Sequence, residues 1–163
     1  MPEKSITVLG IFVNDMTFVA DQFPQRGETI LGNDFRIGPG GKGTNQAVAA
    51  SRAGASVSLI SRVGNDNFGR LAQKLFLDEN IITDHVSITD DKPTGVAGIH
   101  VDRTGENAII VVPGAADAIT TNDIDRARER ISKSSVFLTQ LEVPILCVEH
   151  SLKIARESNV TTI

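Results

Sequence analysis

The sequence has a single cysteine, Cys147, and neither tryptophan nor tyrosine. One cysteine excludes an internal disulfide, and in its apolar surroundings we expect a small buried side chain rather than a nucleophile. The scarcity of aromatic residues argues against the stacking platforms used for single-stranded nucleic acid and for quaternary ammonium ligands. There is no apolar run of about 18 residues and no apolar core of a signal peptide, so we expect a cytoplasmic protein without a membrane span.

Charge of one sign is also scarce. The 163 residues include 20 acids and 16 bases, with a formal net charge of −4 and no long run of either sign. A clustered basic face is therefore absent, and nucleic acid is not an expected partner. Three histidines are scattered along the chain without the spacing of a metal site. With 40% hydrophobic and 22% charged residues, the composition is that of a globular domain with a buried core.

The apolar pattern alternates between the periods of strands and helices. Short β-rich runs lie at residues 5–10, 57–60, 136–138 and 160–163. Stretches with helical apolar spacing begin near Thr44, Asp66, Thr121 and Pro144. This alternation predicts βαβ units around a mostly parallel sheet, an α/β core of three layers with helices on both faces.

Two of the predicted helices have a clear apolar stripe. After Asp66, which can cap a helix, the apolar residues at three-and-four spacing are Phe68, Leu71 and Leu75. After Thr121, one continuous helix is expected to bury Ile124, Ala127 and Ile131. We expect these stripes to face the sheet.

Two segments, residues 13–38 and 94–113, interrupt the alternation with hairpin-like pairs of β-rich runs. We expect them to form a small β-sheet lid near the carboxyl ends of the core strands, where open α/β sheets bind ligands. The core then comprises residues 1–12, 39–93 and 114–163 of a single domain. Since a domain seldom ends on an apolar β-rich run such as the one that reaches Ile163, we expect this one to be incomplete at its carboxyl end.

A glycine cluster, Gly38 to Gly43, formally satisfies the dinucleotide-binding pattern Gly-x-Gly-x-x-Gly. That pattern should follow the first strand directly, but here two further β-rich runs lie in between. Lys42 is followed by glycine rather than by serine or threonine, so the cluster is not a Walker loop either. A dinucleotide-binding module therefore stays a distant alternative.

A longer pattern is far more specific. Gly40-Gly41-Lys42-Gly43-Thr44-Asn45-Gln46-Ala47, followed by Gly54 and Gly64, resembles the N-terminal signature of the ribokinase (PfkB-type) carbohydrate kinases. Other stretches agree with the family in order: Val8-Leu9-Gly10 with Asp15, Phe23-Pro24 with Gly27-Glu28-Thr29, Thr94-Gly95-Val96-Ala97, Pro113-Gly114-Ala115 and Gln140-Leu141-Glu142. The resemblance spans the whole chain and implies the N-terminal half of a ribokinase-like protein.

The resemblance implies a pentose kinase that phosphorylates ribose or 2-deoxyribose at the 5-hydroxyl with ATP and Mg²⁺, with a monovalent cation as a further candidate. The family's catalytic base is the aspartate of a Gly-Ala-Gly-Asp stretch, which this sequence does not contain. We therefore expect no catalytic residue within the 163 residues, the base and the ATP site to lie beyond Ile163, and this chain alone to be inactive. The alternative is a short non-catalytic protein that binds sugar or dimerises.

The residues of the glycine cluster suit a polyhydroxylated ligand. Adjacent glycines such as Gly41 let backbone N–H groups approach a ligand, and a helix begins at once, with its positive end at the same place. Lys42 adds a full charge, and Asn45 can both donate and accept hydrogen bonds. By resemblance, Asp15 and Glu142 contact sugar hydroxyls from the ends of two predicted strands.

The lid residues Ala97, Ile99 and Val111 lie, by resemblance, against the carbon face of the sugar. An equally weighted alternative is that these three side chains pack between the lid and the core, or between the lids of two chains. Family lids often pair across a dimer, and a small sheet with exposed edges has a physical reason to do so. A homodimer through the lid is therefore the expected assembly.

One position departs from the family pattern. Ribokinases carry Asn-x-Asp after the first strand, whereas this sequence has Val13-Asn14-Asp15. In an extended chain, residues two apart share a face, so Val13 rather than Asn14 flanks Asp15. One hydroxyl contact should then be missing, and we expect 2-deoxyribose to be better tolerated than in ordinary ribokinases.

Overall fold

The computed structural model describes residues 5–163. Its nine strands are β1 (Ser5–Leu9), β2 (Val13–Val19), β3 (Asp34–Gly40), β4 (Ser56–Gly64), β5 (Ile82–Thr89), β6 (Thr94–Val101), β7 (Asn107–Gly114), β8 (Val136–Thr139) and β9 (Thr161–Thr162). Five of them form one parallel sheet in the order β5-β4-β1-β8-β9. This is the predicted α/β core sheet, with β1 at its centre.

Five helices flank this sheet. They are α1 (Lys42–Arg52), α2 (Asn67–Asp78), α3 (Thr121–Arg126), α4 (Arg128–Ser132) and α5 (Ile145–Glu157). Alternate residues of the strands point to opposite sides: Val8 packs in one hydrophobic cluster with α1 and α2, whereas Leu9 packs in another with α3, α4 and α5. The three predicted layers are therefore confirmed. Within residues 5–163, each helix is too short or too polar to span a bilayer.

The remaining strands form a second sheet in the order β3-β2-β6-β7, here called the lid. Each of the two predicted segments contributes one antiparallel pair, and the parallel pairing of β2 with β6 joins them. In this register Asp15 lies opposite Gly38 on one side and Ala97 on the other, and Ala97 lies opposite Val111. Because side chains alternate along a strand, Asp15 shares its face of the lid with Val13 and Ile99.

The structure corrects three sequence expectations. Strand β5 was not predicted, because it lies at the edge of the core sheet, half-exposed, and has no continuous apolar run. Helix α2 buries Gly69, Ala72 and Phe76, whereas Leu71 is 49% exposed. The first turn of α2 lies too close to the end of β4 for a side chain at Gly69, since a Cβ there would lie 1.9 Å from the Gly64 carbonyl oxygen. This approach turns the face with Gly69, Ala72 and Phe76 toward the sheet and leaves Leu71 outside. The single helix expected after Thr121 is divided into α3 and α4 at Ala127, although its predicted stripe is buried.

Candidate functional site

The glycine cluster lies where β3 ends and α1 begins, directly beside the end of β1. A Cβ on Gly43 would lie 2.5 Å from the Gly10 Cα and 2.9 Å from the Ile11 nitrogen, so the two backbones touch. Thr44 fixes the contact, since its backbone N–H and its hydroxyl both donate to the Ile11 carbonyl, at 3.2 and 3.0 Å. The start of α1 is thereby held against the carboxyl end of the sheet.

Gly40 and Gly41 are constrained in different ways. Gly41 has φ +93°, a backbone conformation that favours glycine, and a Cβ there would lie 2.4 Å from the Ile11 carbonyl oxygen. A Cβ on Gly40 would lie 2.2 Å from Asp15 Oδ1, so the Asp15 carboxylate fills the space above Gly40. At Gly38, nothing lies within 4 Å of an added Cβ. The close approaches therefore belong to the part of the cluster that adjoins α1.

Lys42 and Glu142 are joined by two contacts across 100 positions of sequence. The Lys42 ammonium pairs with Glu142 Oε1, and the Lys42 backbone N–H donates to Oε2 at 3.0 Å. Both oxygens of one carboxylate are thus held by one residue at the amino terminus of α1, where the helix dipole also favours a negative charge. The Lys42 side chain is 69% exposed and that of Glu142 only 21%.

Asp15 completes a cluster of two carboxylates and one ammonium group. Burial raises the pKa of Asp15, and the negative charge of Glu142 raises it further. Among residues 5–163, no side chain or backbone group donates a hydrogen bond to the Asp15 carboxylate. Its oxygens can therefore accept hydrogen bonds from a hydroxylated ligand. The geometry brings Asp15, Gly41, Lys42 and Glu142 together.

Asn45 is not drawn into this cluster. It is exposed one turn along α1, and its side chain makes no hydrogen bond with Asp15, Lys42 or Glu142 in the part of the chain described. It lines a separate depression with Pro39, Val48, Arg52 and Leu75. A contact between Asn45 and a sugar stays a prediction.

The predicted lid residues share one face but differ in burial. Val13 and Ala97 are each 3% exposed and pack in the core cluster, and Ile99 lies partly buried against it. Val111 is 46% exposed at the end of the row that contains Asp15 and Ala97. Packing between lid and core therefore accounts for Val13 and Ala97, while Val111 has a surface free for a ligand or a second lid.

Asn14 points away from Asp15, as the period of two predicts. It is 1% exposed, and its amide nitrogen has no hydrogen-bond partner among residues 5–163. It borders a cavity of about 230 Å³ together with apolar side chains that include Phe12, Ile37 and Leu71. Val13 is thus the neighbour of Asp15 on the face that bears the carboxylate.

Ile163 belongs to the core sheet and not to the carboxylate cluster. Its N–H donates to the Phe137 carbonyl at 3.0 Å, and its own carbonyl accepts from the Thr139 N–H at 3.1 Å, so it continues the pairing of β9 with β8. Its side chain is an exposed hydrocarbon, which cannot transfer a proton. Ile163 is therefore a structural residue, and a catalytic base beyond Ile163 stays a prediction.

Three polar residues near the cluster have contacts that the sequence analysis did not predict. Gln140 donates from Nε2 to Gln46 Oε1, joining the loop after β8 to α1. Thr94 ties the lid to the core, since its N–H and its hydroxyl donate to the two Asp66 oxygens at 2.7 and 2.8 Å. Their only signal in the sequence was their position within or beside the family-like stretches.

Within residues 5–163, no group of three His, Cys, Asp or Glu side chains is arranged to hold a metal ion.

Comparison with known proteins gives a consistent result. The sequence profile described as "pfkB family carbohydrate kinase" matches residues 3–162. The chain is 43% identical to the ribokinase of Dictyostelium discoideum over 157 residues, covering 96% of this chain and 49% of that protein. It is 34% identical to the deoxyribokinase of Salmonella typhi over 155 residues, covering 95% of this chain and 51% of that protein.

The fold agrees with these relatives. The structure of Arabidopsis thaliana ribokinase complexed with ribose and ATP superposes with a TM-score of 0.83 at 26% identity, covering 98% of this chain and 52% of that one. The chain thus spans about half the length of the relatives it matches. With the family profile matched along nearly the whole sequence and the two-sheet fold shared, the chain belongs to the pfkB family of carbohydrate kinases.

Proposed function

We propose that this chain supplies the sugar-binding half of an ATP-dependent pentose kinase that phosphorylates ribose or 2-deoxyribose at the 5-hydroxyl. One observation carries the proposal: the carboxylates of Asp15 and Glu142 converge beside Lys42 at the amino terminus of α1. Carboxylates accept two hydrogen bonds each in fixed directions, as a polyhydroxylated ring requires. The ribokinase and deoxyribokinase relatives support the substrate class.

Each residue has a distinct part in this proposal. Asp15 and Glu142 accept hydrogen bonds from ring hydroxyls and so orient the sugar. The backbone at Gly41, free of a side chain, lets the ring lie close to the start of α1. Lys42 and the positive end of α1 lie beside the sugar, where they can balance the negative charge of the transferred phosphoryl group. Val111, exposed in the same row as Asp15, covers the apolar side of the ring.

The catalytic base and the groups that hold ATP, Mg²⁺ and a monovalent cation are assigned to a part of the kinase beyond Ile163. Residues 5–163 offer no three-residue acidic or histidine cluster for a metal ion. ATP, when bound, supplies the transferred phosphoryl group. The residues described here position the sugar, and positioning contributes to catalysis only when the other reactants are held as well.

We also propose that two copies associate through their lids. The lid face turned away from Asp15 carries exposed apolar side chains: Phe18, Phe35, Ile37, Ile110 and Val112 are each 41% to 70% exposed. On a monomer, exposed apolar residues on one face of a small sheet, four of them on its two edge strands, favour pairing with a second chain. The same face would serve the alternative function, a short sugar-binding or dimerising protein without chemistry.

Titration of the isolated chain with D-ribose and with 2-deoxy-D-ribose by isothermal calorimetry tests the proposed function. We expect both sugars to bind and the affinity to fall at least about tenfold in Asp15→Asn and Glu142→Gln, since each loses a charged hydrogen-bond acceptor. Asp125→Asn, which changes a half-exposed carboxylate of α3 that contacts Arg128 and His150, is the matched control and should bind like the unchanged chain. The isolated chain should show no sugar-dependent ATP consumption. Absence of sugar binding, or turnover by the chain alone, contradicts the proposal.

The selectivity at Val13 is tested by restoring the family residue. In Val13→Asn, an amide is placed on the lid face beside Asp15, where it can pair with one more hydroxyl. We expect the affinity for D-ribose to rise about tenfold relative to 2-deoxy-D-ribose, because one hydrogen bond to a buried group is gained. Val13→Ala is the control, since it removes bulk without adding an amide and should leave the ratio unchanged. In a complete kinase containing this half, kcat/KM for the two sugars gives the same comparison, and a hundredfold preference for ribose with Val13 in place would refute the idea.

A further inference from the structure

Two glutamines form a second connection between α1 and the loop that carries Glu142. Gln140 follows β8 and donates from Nε2 to Oε1 of Gln46. Gln46 lies four residues after Lys42, on the same side of α1, and Gln140 lies two residues before Glu142. The Lys42–Glu142 contacts and the Gln46–Gln140 hydrogen bond therefore run side by side between the same two segments.

The orientation of the Gln140 amide is fixed by the backbone behind it. Its Oε1 is buried and has no hydrogen-bond partner among the described residues. The oxygen lies against Gly10, because a Cβ there would be 2.5 Å from Oε1 and 2.6 Å from the Gly43 Cα. The same Cβ would lie 3.3 Å from the Gly43 nitrogen, so the oxygen end of the amide is packed against the backbone where Gly10 and Gly43 meet. The amino group is left to point at Gln46.

The ion pair alone is a weak constraint on Glu142. Lys42 is 69% exposed, and exposed ion pairs contribute little once side-chain entropy and solvent screening are counted. A sugar that binds Glu142 also competes with the Lys42 ammonium for the same oxygens. An additional tether that no sugar hydroxyl displaces would keep the loop in place during this exchange.

We propose that Gln46 and Gln140 are a positioning pair that holds the Glu142 loop against α1 in the geometry that binds the sugar. This inference rests on the proposed sugar site. Neither glutamine needs to touch the ligand, and both act through the Glu142 carboxylate. The pair has a direction, with Gln140 as donor and Gln46 as acceptor.

That direction gives a matched test. Gln46→Glu and Gln140→Glu add the same charge at nearly the same place, but only the first keeps an acceptor opposite the Gln140 amino group. We expect the Kd for D-ribose, measured by calorimetry on the isolated chain, to change less than about twofold in Gln46→Glu and to rise about tenfold in Gln140→Glu and Gln46→Met. The melting temperature should change little in Gln46→Glu and Gln46→Met, since Gln46 lies on the exposed side of α1. In Gln140→Glu it should fall, because a carboxylate oxygen is then buried without a partner, and the two Gln46 variants therefore carry the comparison.

A second measurement separates this inference from the proposed function. The Lys42 backbone N–H donates to Glu142, so its amide resonance reports the loop position without any sugar. We expect that resonance to shift in Gln140→Glu and Gln46→Met and to stay in place in Gln46→Glu. Equal Kd values or equal resonances in all variants overturn the positioning pair. If the unchanged chain binds no sugar, the proposed function fails, while the Lys42 resonance still decides whether the glutamines position Glu142.

Discussion

Replacing Gly43 by alanine is expected to lower the free energy of unfolding by about 3 kcal/mol, the upper part of the usual range for overpacking a tight contact. The added methyl group would meet the backbone of one segment, at 2.5 Å from the Gly10 Cα and 2.9 Å from the Ile11 nitrogen. This segment directly follows β1, the central strand of the core sheet, and cannot move without displacing the end of that strand. Urea unfolding followed by circular dichroism measures the change.

Two other glycines of the cluster serve as controls for this prediction. Gly38→Ala should change stability little or raise it slightly, because nothing lies within 4 Å of the new Cβ and alanine restricts the unfolded chain. Gly40→Ala should instead reduce sugar binding more than stability, since its Cβ meets the movable Asp15 carboxylate rather than backbone. If Gly43→Ala and Gly38→Ala unfold at the same urea concentration, the packing of α1 against β1 is not as described.

The second large effect is expected at Asp123, where alanine should cost about 3–5 kcal/mol of stability by leaving one member of a buried ion pair alone. Arg62 Nη2 donates to the two Asp123 oxygens at 2.8 and 2.9 Å, and Thr120 donates to Oδ2 from its N–H and its hydroxyl, both at 2.7 Å. The Asp123 side chain is 7% exposed and that of Arg62 20%. Their contact joins β4 of the sheet to α3.

Asp125→Ala is the control, because this neighbour on α3 is 47% exposed and its contacts with Arg128 and His150 should each contribute less than about 1 kcal/mol. The pH dependence gives a further check. Burial acts to raise the pKa of Asp123, but hydrogen bonds from Thr120 and Arg62 outweigh it and the pKa is lowered. The folded state therefore gains stability above the pKa of an unfolded aspartate and loses it as pH falls through the lowered value, a loss that Asp123→Ala should abolish. Equal unfolding midpoints for the two alanine variants would contradict the buried pair.

The local pattern of the sequence was sufficient for the core and for part of the site. Apolar runs and helical spacing predicted the parallel sheet and its flanking helices, because both signals come from residues close together in the chain. The period of two in a strand correctly placed Val13, rather than Asn14, beside Asp15. The glycine cluster predicted a backbone that something approaches closely, which the structure shows at Gly41 and Gly43.

Other features were decided by contacts between distant segments. Strand β5 has no apolar run of its own and exists because its edge position pairs it with β4. Helix α2 buries Gly69, Ala72 and Phe76 rather than Leu71, because its close approach to the Gly64 carbonyl at Gly69 decides which face meets the sheet. The separate depression beside Asn45 likewise depends on how β3 and α2 pack around α1.

The sequence by itself determined which residue types were available: two acids after strands, a lysine at a helix start and glycines that leave the backbone bare. Only the tertiary structure decided that Asp15, Lys42 and Glu142 meet, with 100 positions of chain between the last two. The physical reason is that periodicity reports the face of an element, whereas the meeting of two faces depends on packing across the whole sheet. The Gln46–Gln140 hydrogen bond was likewise decided by tertiary packing, since no local sequence pattern determines which residue an amide side chain will contact.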